Sequence, residues 1–153
     1  MRFFVILLLF FICKVSVLAD AAQEGERLFA LKVRSILSSK CFACHGGDAK
    51  KIKGELDLTS RDGLLKGGES EESSLVPGDP LNSPLYLAVT REHEDDWSVM
   101  PPKENDKLTV EQVGYIKKWI KAGAPWPNEE RIAIILKETN PWGEGEGVFV
   151  KTS

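Results

Sequence analysis

The chain has 153 residues, of which 42% are hydrophobic and 28% charged, with a formal net charge of −3. This length suits one domain with appendages rather than two full domains, and the composition excludes a wholly disordered chain. A mildly acidic chain without a basic stripe carries no nucleic-acid footprint, so no nucleic-acid partner is expected.

The first element is a leader. Met1-Arg2 gives a positive start, Phe3 to Ile12 is an unbroken apolar run, and Val17 and Ala19 stand at −3 and −1 of a cleavage site after Ala19. Ala19-Asp20-Ala21 offers a second site just beyond. This is the pattern of a secretory signal peptide over residues 1–19. Lys14 interrupts the run well short of the roughly 20 residues a membrane span needs, so no stable membrane insertion is expected after cleavage. Cys13 lacks the preceding small residue of a lipoprotein site. The expected location is exported, periplasmic or cell-envelope. Cleavage removes Arg2 and Lys14, leaving 18 basic against 23 acidic side chains, a net charge of −5. It also removes Cys13, so Cys41 and Cys44 are then the only cysteines.

From Gln23 to Leu37 the apolar residues Leu28, Phe29, Val33, Ile36 and Leu37 recur at helical spacing, predicting a helix that runs through Ser38-Ser39-Lys40 into the cysteines. Gly46-Gly47 breaks the chain, and residues 54–60 alternate apolar and polar, reading as a short strand or an extended loop. Residues 66–74, rich in Gly, Ser and Glu, read as a solvated loop. Val76-Pro77-Gly78-Asp79-Pro80 is a stiff turn. Ser83-Pro84 fits an N-cap followed by proline at the first helical position, opening a short helix with Leu85, Tyr86, Leu87 and Val89. Residues 91–107 are polar and irregular, and contain Met100.

Thr109 and Gln112 form a capping box, with Leu108 and Val113 as a hydrophobic staple. Val113, Ile116 and Ile120 share one face of the helix so begun, with Tyr115 and Trp119 on a neighbouring one. Gly123 and Pro125 end it. Asn128 caps another short helix whose Ile132, Ile135 and Leu136 are expected to face inward. Residues 140–153 carry Gly143, Gly145 and Gly147 and read as linker. The expected organisation is a signal peptide at 1–19, a domain at 20–127, and a short helix with a linker or tail at 128–153.

Cys41-Phe42-Ala43-Cys44-His45 is a haem-attachment pattern. Two thiols three residues apart can add to the two vinyl groups of one porphyrin, and the adjacent histidine is then held under the iron. A thioredoxin-like motif needs a βαβ setting that is absent from the sequence pattern. A zinc site needs four ligands, and His45 beside Cys44 spoils finger spacing. A plain disulfide leaves His45 without a purpose. Export and motif agree on one covalent haem c per chain, held by Cys41 and Cys44 with His45 as an axial iron ligand.

For the second axial ligand the mature chain offers one methionine, Met100, and one further histidine, His93. Pro101-Pro102 stiffen the backbone after Met100, so a thioether there loses little ordering entropy on ligation. His93 sits among Glu92, Glu94, Asp95 and Asp96, where a solvated role is natural. Met100 is therefore the expected ligand. The acidic clusters themselves read as solvated loops, calcium being the alternative that carboxylates suit.

These residues together resemble the planctomycete-type cytochrome c domain, within the class I cytochrome c fold. The shared features run in order: Phe29 to Leu37, the Cys41–His45 motif with Gly46, Gly54-Glu55-Leu56-Asp57-Leu58, Lys66-Gly67-Gly68, Val76 to Pro80 with Ser83-Pro84-Leu85, Met100-Pro101-Pro102, and Trp119 to Ala124. The resemblance covers about residues 26–127. It implies an all-α, cytochrome c-like helical domain wrapped around one covalent haem, with His45 and Met100 as axial ligands. Such domains often open much longer exported proteins, so downstream domains are as compatible with the resemblance as a small free carrier.

The function expected is electron transfer by a mono-haem c-type cytochrome domain, since no other catalytic pattern is present. The alternative is a haem enzyme or sensor with an open sixth iron position, peroxidase-like in its chemistry. The partner expected is a redox protein. Lys40, Lys50, Lys51 and Lys53 flank the motif and could form a basic rim able to steer an acidic partner, though charge of this kind is more often a solvated loop.

Overall fold

Residues 20–46, 52–93 and 97–140 are described by the structure, a computed structural model. Among them are helices, turns and irregular segments but no strand, which agrees with the all-α expectation. The signal peptide and the linker from residue 141 onward lie outside the described residues, as do Lys50, Lys51 and residues 94–96.

The first helix, α1, runs over residues 20–40. Its apolar stripe buries Phe29, Val33, Ile36 and Leu37. Over Phe29–Val33 the ladder widens to a π-helix, with the Arg34 N–H reaching back to the Phe29 carbonyl. Such a widening inserts one residue into the helical turn. The short helices that follow are α2 (Phe42–His45), α3 (Arg61–Lys66) and α4 (Pro84–Thr90). Two longer ones, α5 (Val110–Lys121) and α6 (Glu129–Thr139), complete the domain.

The core forms where α5 crosses α1. Ile116, Trp119 and Ile120 of α5 are fully buried. Phe29 stacks at 4.4 Å from Trp126 and 5.8 Å from Trp119, measured between ring centroids. The Trp119 indole N–H donates to the Pro125 carbonyl at 2.8 Å, so the polar edge of this large side chain is satisfied inside the core. A Cβ on Gly25 would come within 2.7 Å of Pro125 Cγ and 2.8 Å of Ala122 Cβ, so only glycine lets α1 approach this corner.

The capping box at α5 forms as expected. Thr109 Oγ1 accepts from the Gln112 N–H at 3.2 Å, and Gln112 Oε1 accepts from the Thr109 N–H at 2.9 Å. Gly123, at φ 91°, follows the end of the helix. Asn128 caps α6, accepting from the Arg131 N–H at 2.8 Å. Ion pairs Arg34–Glu129 and Arg131–Glu26, each at 2.8 Å, join α6 to α1. Both are partly exposed, so each contributes at most about 1 kcal/mol.

Three expectations need correction. Leu136 does not face inward; it is 46% exposed, while Ile132 and Ile135 are buried. The reason is the roll of α6: Arg131 turns toward Glu26, which centres the inward stripe between Arg131 and Ile132 and puts Leu136 about 90° away at 100° per residue. Ser83 occupies the N-cap position with Pro84 first in the helix, but its hydroxyl does not cap α4. It accepts from the Val76 N–H at 2.9 Å and donates to the Asp79 carbonyl at 2.8 Å, pinning the stiff turn instead. Residues 66–74 are not solvated throughout. Ser74 is buried, its hydroxyl donating to the Leu64 carbonyl at 2.8 Å. That carbonyl belongs to α3, a helix not anticipated from the sequence, capped by Ser60 accepting from the Gly63 N–H at 3.0 Å.

Candidate haem site

The helix α1 ends at the motif: the Cys41 N–H donates to the Leu37 carbonyl at 2.9 Å, and Cys41 itself leaves helical geometry at φ −120°. The turn restarts at once as α2. The Cys44 and His45 N–H groups both donate to the Cys41 carbonyl, at 3.1 and 2.9 Å. This one turn brings the two thiols, three residues apart, to neighbouring positions. Residues 54–60 form no strand: Lys53–Glu55 make a 3-10 turn and the rest is irregular, tied to the motif by the Leu58 N–H, which donates to the His45 carbonyl at 2.7 Å.

Cys41, Cys44, His45 and Met100 line one cavity of about 520 Å³. That volume lies inside the range of about 300–1,000 Å³ typical of cofactor and ligand sites. Much of its wall is apolar, formed by Leu56, Leu58, Leu85, Val89, Trp97 and the two prolines after Met100. Both thiols are free. Burial, and next the neighbouring Cys44, push the Cys41 thiol up to about 11, so it is a protonated thiol at neutral pH. The His45 Nδ1 is buried with no hydrogen-bond partner. A buried polar atom left unpaired shows that internal hydrogen bonding does not account for the placement of the ring.

Met100 reaches the cavity on a tethered loop. Its N–H donates to the Ala88 carbonyl of α4 at 3.0 Å. Arg91, just after α4, donates from Nη1 to the Pro101 carbonyl at 2.9 Å and pairs through Nη2 with Glu104 at 3.1 Å. Lys107 hydrogen-bonds the other Glu104 oxygen, and that contact, ahead of Arg91, holds the Glu104 carboxyl below its ordinary range. Arg91, Glu104 and Trp97 were not recognised as site residues from the sequence. A large aromatic next to a ligand candidate was a usable sign for Trp97. For Arg91 there was none, because its main partner is a backbone carbonyl.

His93 is exposed and does not line the cavity. Lys40 and Lys53 do line it, but so do Glu69 and Glu72, so the described part of the rim is mixed in charge rather than basic. Among the described residues there is no group of three or more His, Cys, Asp and Glu side chains that could hold a metal ion; Glu94, Asp95 and Asp96 of the acidic run lie outside the described residues.

Residues 41–104 match the family model described as Planctomycete cytochrome C. That segment is a planctomycete-type cytochrome c domain. No curated protein and no solved structure matches the chain. The cytochrome c segment contains Cys41, Cys44, His45 and Met100, and ends at the Glu104 that pairs with Arg91. It is shorter than the resemblance read over residues 26–127; α1 and α5 pack against it from outside the matched range, and α6 packs on α1. A cytochrome c domain implies haem c, and the residues present fit that group: two free thiols on one turn, an imidazole whose buried Nδ1 has no partner, and a thioether, all on one mainly apolar cavity.

Proposed function

We propose that this chain is an exported, mono-haem c-type cytochrome that carries electrons. On this reading Cys41 and Cys44 hold one haem c through thioether bonds, with His45 and Met100 as its axial ligands. The observation that carries the reading is that Met100, distant in sequence from the motif, lines the same cavity as Cys41, Cys44 and His45. Bound there, the haem supplies a reversible one-electron change at iron.

The rest is done by the chain itself. The turn of α2 presents the thiols and the imidazole together. Leu56, Leu58, Leu85 and Val89 keep water from much of the cavity, and a low-dielectric surrounding is one lever on the reduction potential. The thioether of Met100 is a soft neutral donor that favours the reduced metal and raises the potential relative to a second histidine. Two filled axial positions suit electron transfer rather than chemistry on a small substrate. Export is supported by the leader at residues 1–19, and no helix among the described residues is long and apolar enough to cross a membrane. The partner on this reading is another redox protein that approaches the cavity rim.

The test is the mass of the denatured protein made alongside a cytochrome c maturation system. One haem increment per chain is expected, and none when Cys41 and Cys44 are both replaced by alanine. A wild-type mass without the increment under those conditions contradicts the reading.

A further inference from the structure

We propose that Arg91 is the positioning residue for Met100, its guanidinium clamping the Pro101 carbonyl so that the thioether is held on the cavity wall. The proposal rests on the reading of Met100 as an axial ligand given above.

The backbone at Arg91 is the first observation. It follows α4 in the left-handed conformation, φ 61° and ψ 21°. Glycine, or sometimes asparagine, is the residue that takes this position without steric cost. An arginine here is not explained by the helix terminus. Its side chain has a specific use instead: it is only 21% exposed and reaches across to the loop that carries Met100.

The second observation is the donor shortage in that loop. Pro101 and Pro102 have no N–H, so the residues after Met100 cannot anchor themselves by donating hydrogen bonds. What the loop still offers is acceptors, and Arg91 Nη1 donates to the Pro101 carbonyl at 2.9 Å. With the Met100 N–H on the Ala88 carbonyl at 3.0 Å, consecutive residues are anchored to the end of α4. Two anchors on either side of the Met100 carbonyl restrict where its side chain can point, which one anchor does not. Arg91 is itself fixed, because its Nη2 pairs with one Glu104 oxygen while Lys107 occupies the other. The planar fork of a guanidinium serves both partners at once, which a lysine cannot reproduce.

The clamp predicts a ligand-exchange phenotype rather than a general loss of stability. If release of the loop exposes the sixth position, the apparent affinity for an added ligand is scaled by the fraction of molecules with the loop released. Losing one charge-assisted hydrogen bond should raise that fraction, and the affinity, by roughly tenfold.

The experiment compares haem-loaded wild type with Arg91→Ala, Arg91→Asn, Arg91→Lys and Arg131→Ala. Imidazole is titrated into the ferric proteins, the iron–thioether charge-transfer band is followed, and thermal unfolding is recorded. Arg91→Asn tolerates the left-handed backbone, so it removes the clamp without adding backbone strain and keeps the test open should the alanine variant not fold. Both variants should bind imidazole about tenfold more tightly and show a weakened band, with Arg91→Lys in between. Arg131→Ala breaks the ion pair to Glu26 far from the cavity; it should lower thermal stability while keeping wild-type imidazole affinity. A normal band in the wild type, with Arg91→Asn retaining wild-type band and affinity, overturns the clamp alone. A wild type without the band overturns the Met100 reading and the clamp with it.

Discussion

The backbone N–H of Met100 donates to the carbonyl oxygen of Ala88 at 3.0 Å, hanging an irregular loop from the last full turn of α4. The same helix supplies Leu85 and Val89 to the cavity wall. The position of the thioether is therefore referred to a helix anchored in the core by Leu85 and Val89 rather than to the polar segment around it. On the proposed reading, this is what would let a methionine in a loop serve as a fixed ligand for a group attached far away in the sequence.

The capping box at α5 should matter for folding and not for the iron. Thr109→Ala removes an N-cap and should cost about 1 kcal/mol in denaturant unfolding. Thr109 does not line the cavity, so the visible spectrum of the haem-loaded protein should be unchanged. A spectral change as large as that from a ligand variant would show that α5 is misplaced relative to the cavity.

Gly67 should be among the least replaceable residues outside the motif. It sits at φ 78° and ψ −167°, a region open almost only to glycine, and an added Cβ would lie 1.9 Å from the Glu72 carbonyl oxygen. Gly67→Ala should destabilise the protein by more than about 3 kcal/mol, since backbone strain and overlap add. Because Gly68, Glu69 and Glu72 line the cavity, haem-loaded protein should also be recovered in lower yield. A denaturation midpoint equal to wild type would contradict the close packing of this turn.

The roll of α6 can be checked with two neighbours. Ile135 is fully buried, so Ile135→Ala should cost about 2–5 kcal/mol. Leu136 is exposed, so Leu136→Ala should change stability by no more than about 0.5 kcal/mol. Equal costs measured by urea unfolding would mean the helix is rotated from the orientation described.

What the sequence made legible were features written in local chemistry. Thr109 with Gln112, Asn128 before α6, Gly123 after α5 and the Cys41–His45 motif each announce themselves through residue type at fixed spacing. The illegible features depend on tertiary contacts. The π-helical segment Phe29–Val33 contains neither proline nor glycine to mark it. α3 was hidden because Gly63 sits inside it, although Ser60 was a usable N-cap sign. Ser83 was placed correctly as the residue before α4, yet its hydroxyl chose the Val76–Asp79 turn over the helix. Leu136 fitted a helical stripe by spacing, and tertiary contacts, the burial of Ile132 and Ile135 together with the Arg131–Glu26 pair, decide which side of α6 faces α1. Arg91 acts on a backbone carbonyl, a partner that no side-chain pattern reveals.

The most direct test of the account compares the ferric and ferrous visible spectra of haem-loaded wild type, Met100→Ala and His93→Ala. The wild type should be low-spin with histidine–methionine ligation, Met100→Ala should become high-spin or bind added ligands readily, and His93→Ala should match the wild type, since His93 is exposed and outside the cavity. A spectrum disturbed by His93→Ala and left intact by Met100→Ala would contradict the account.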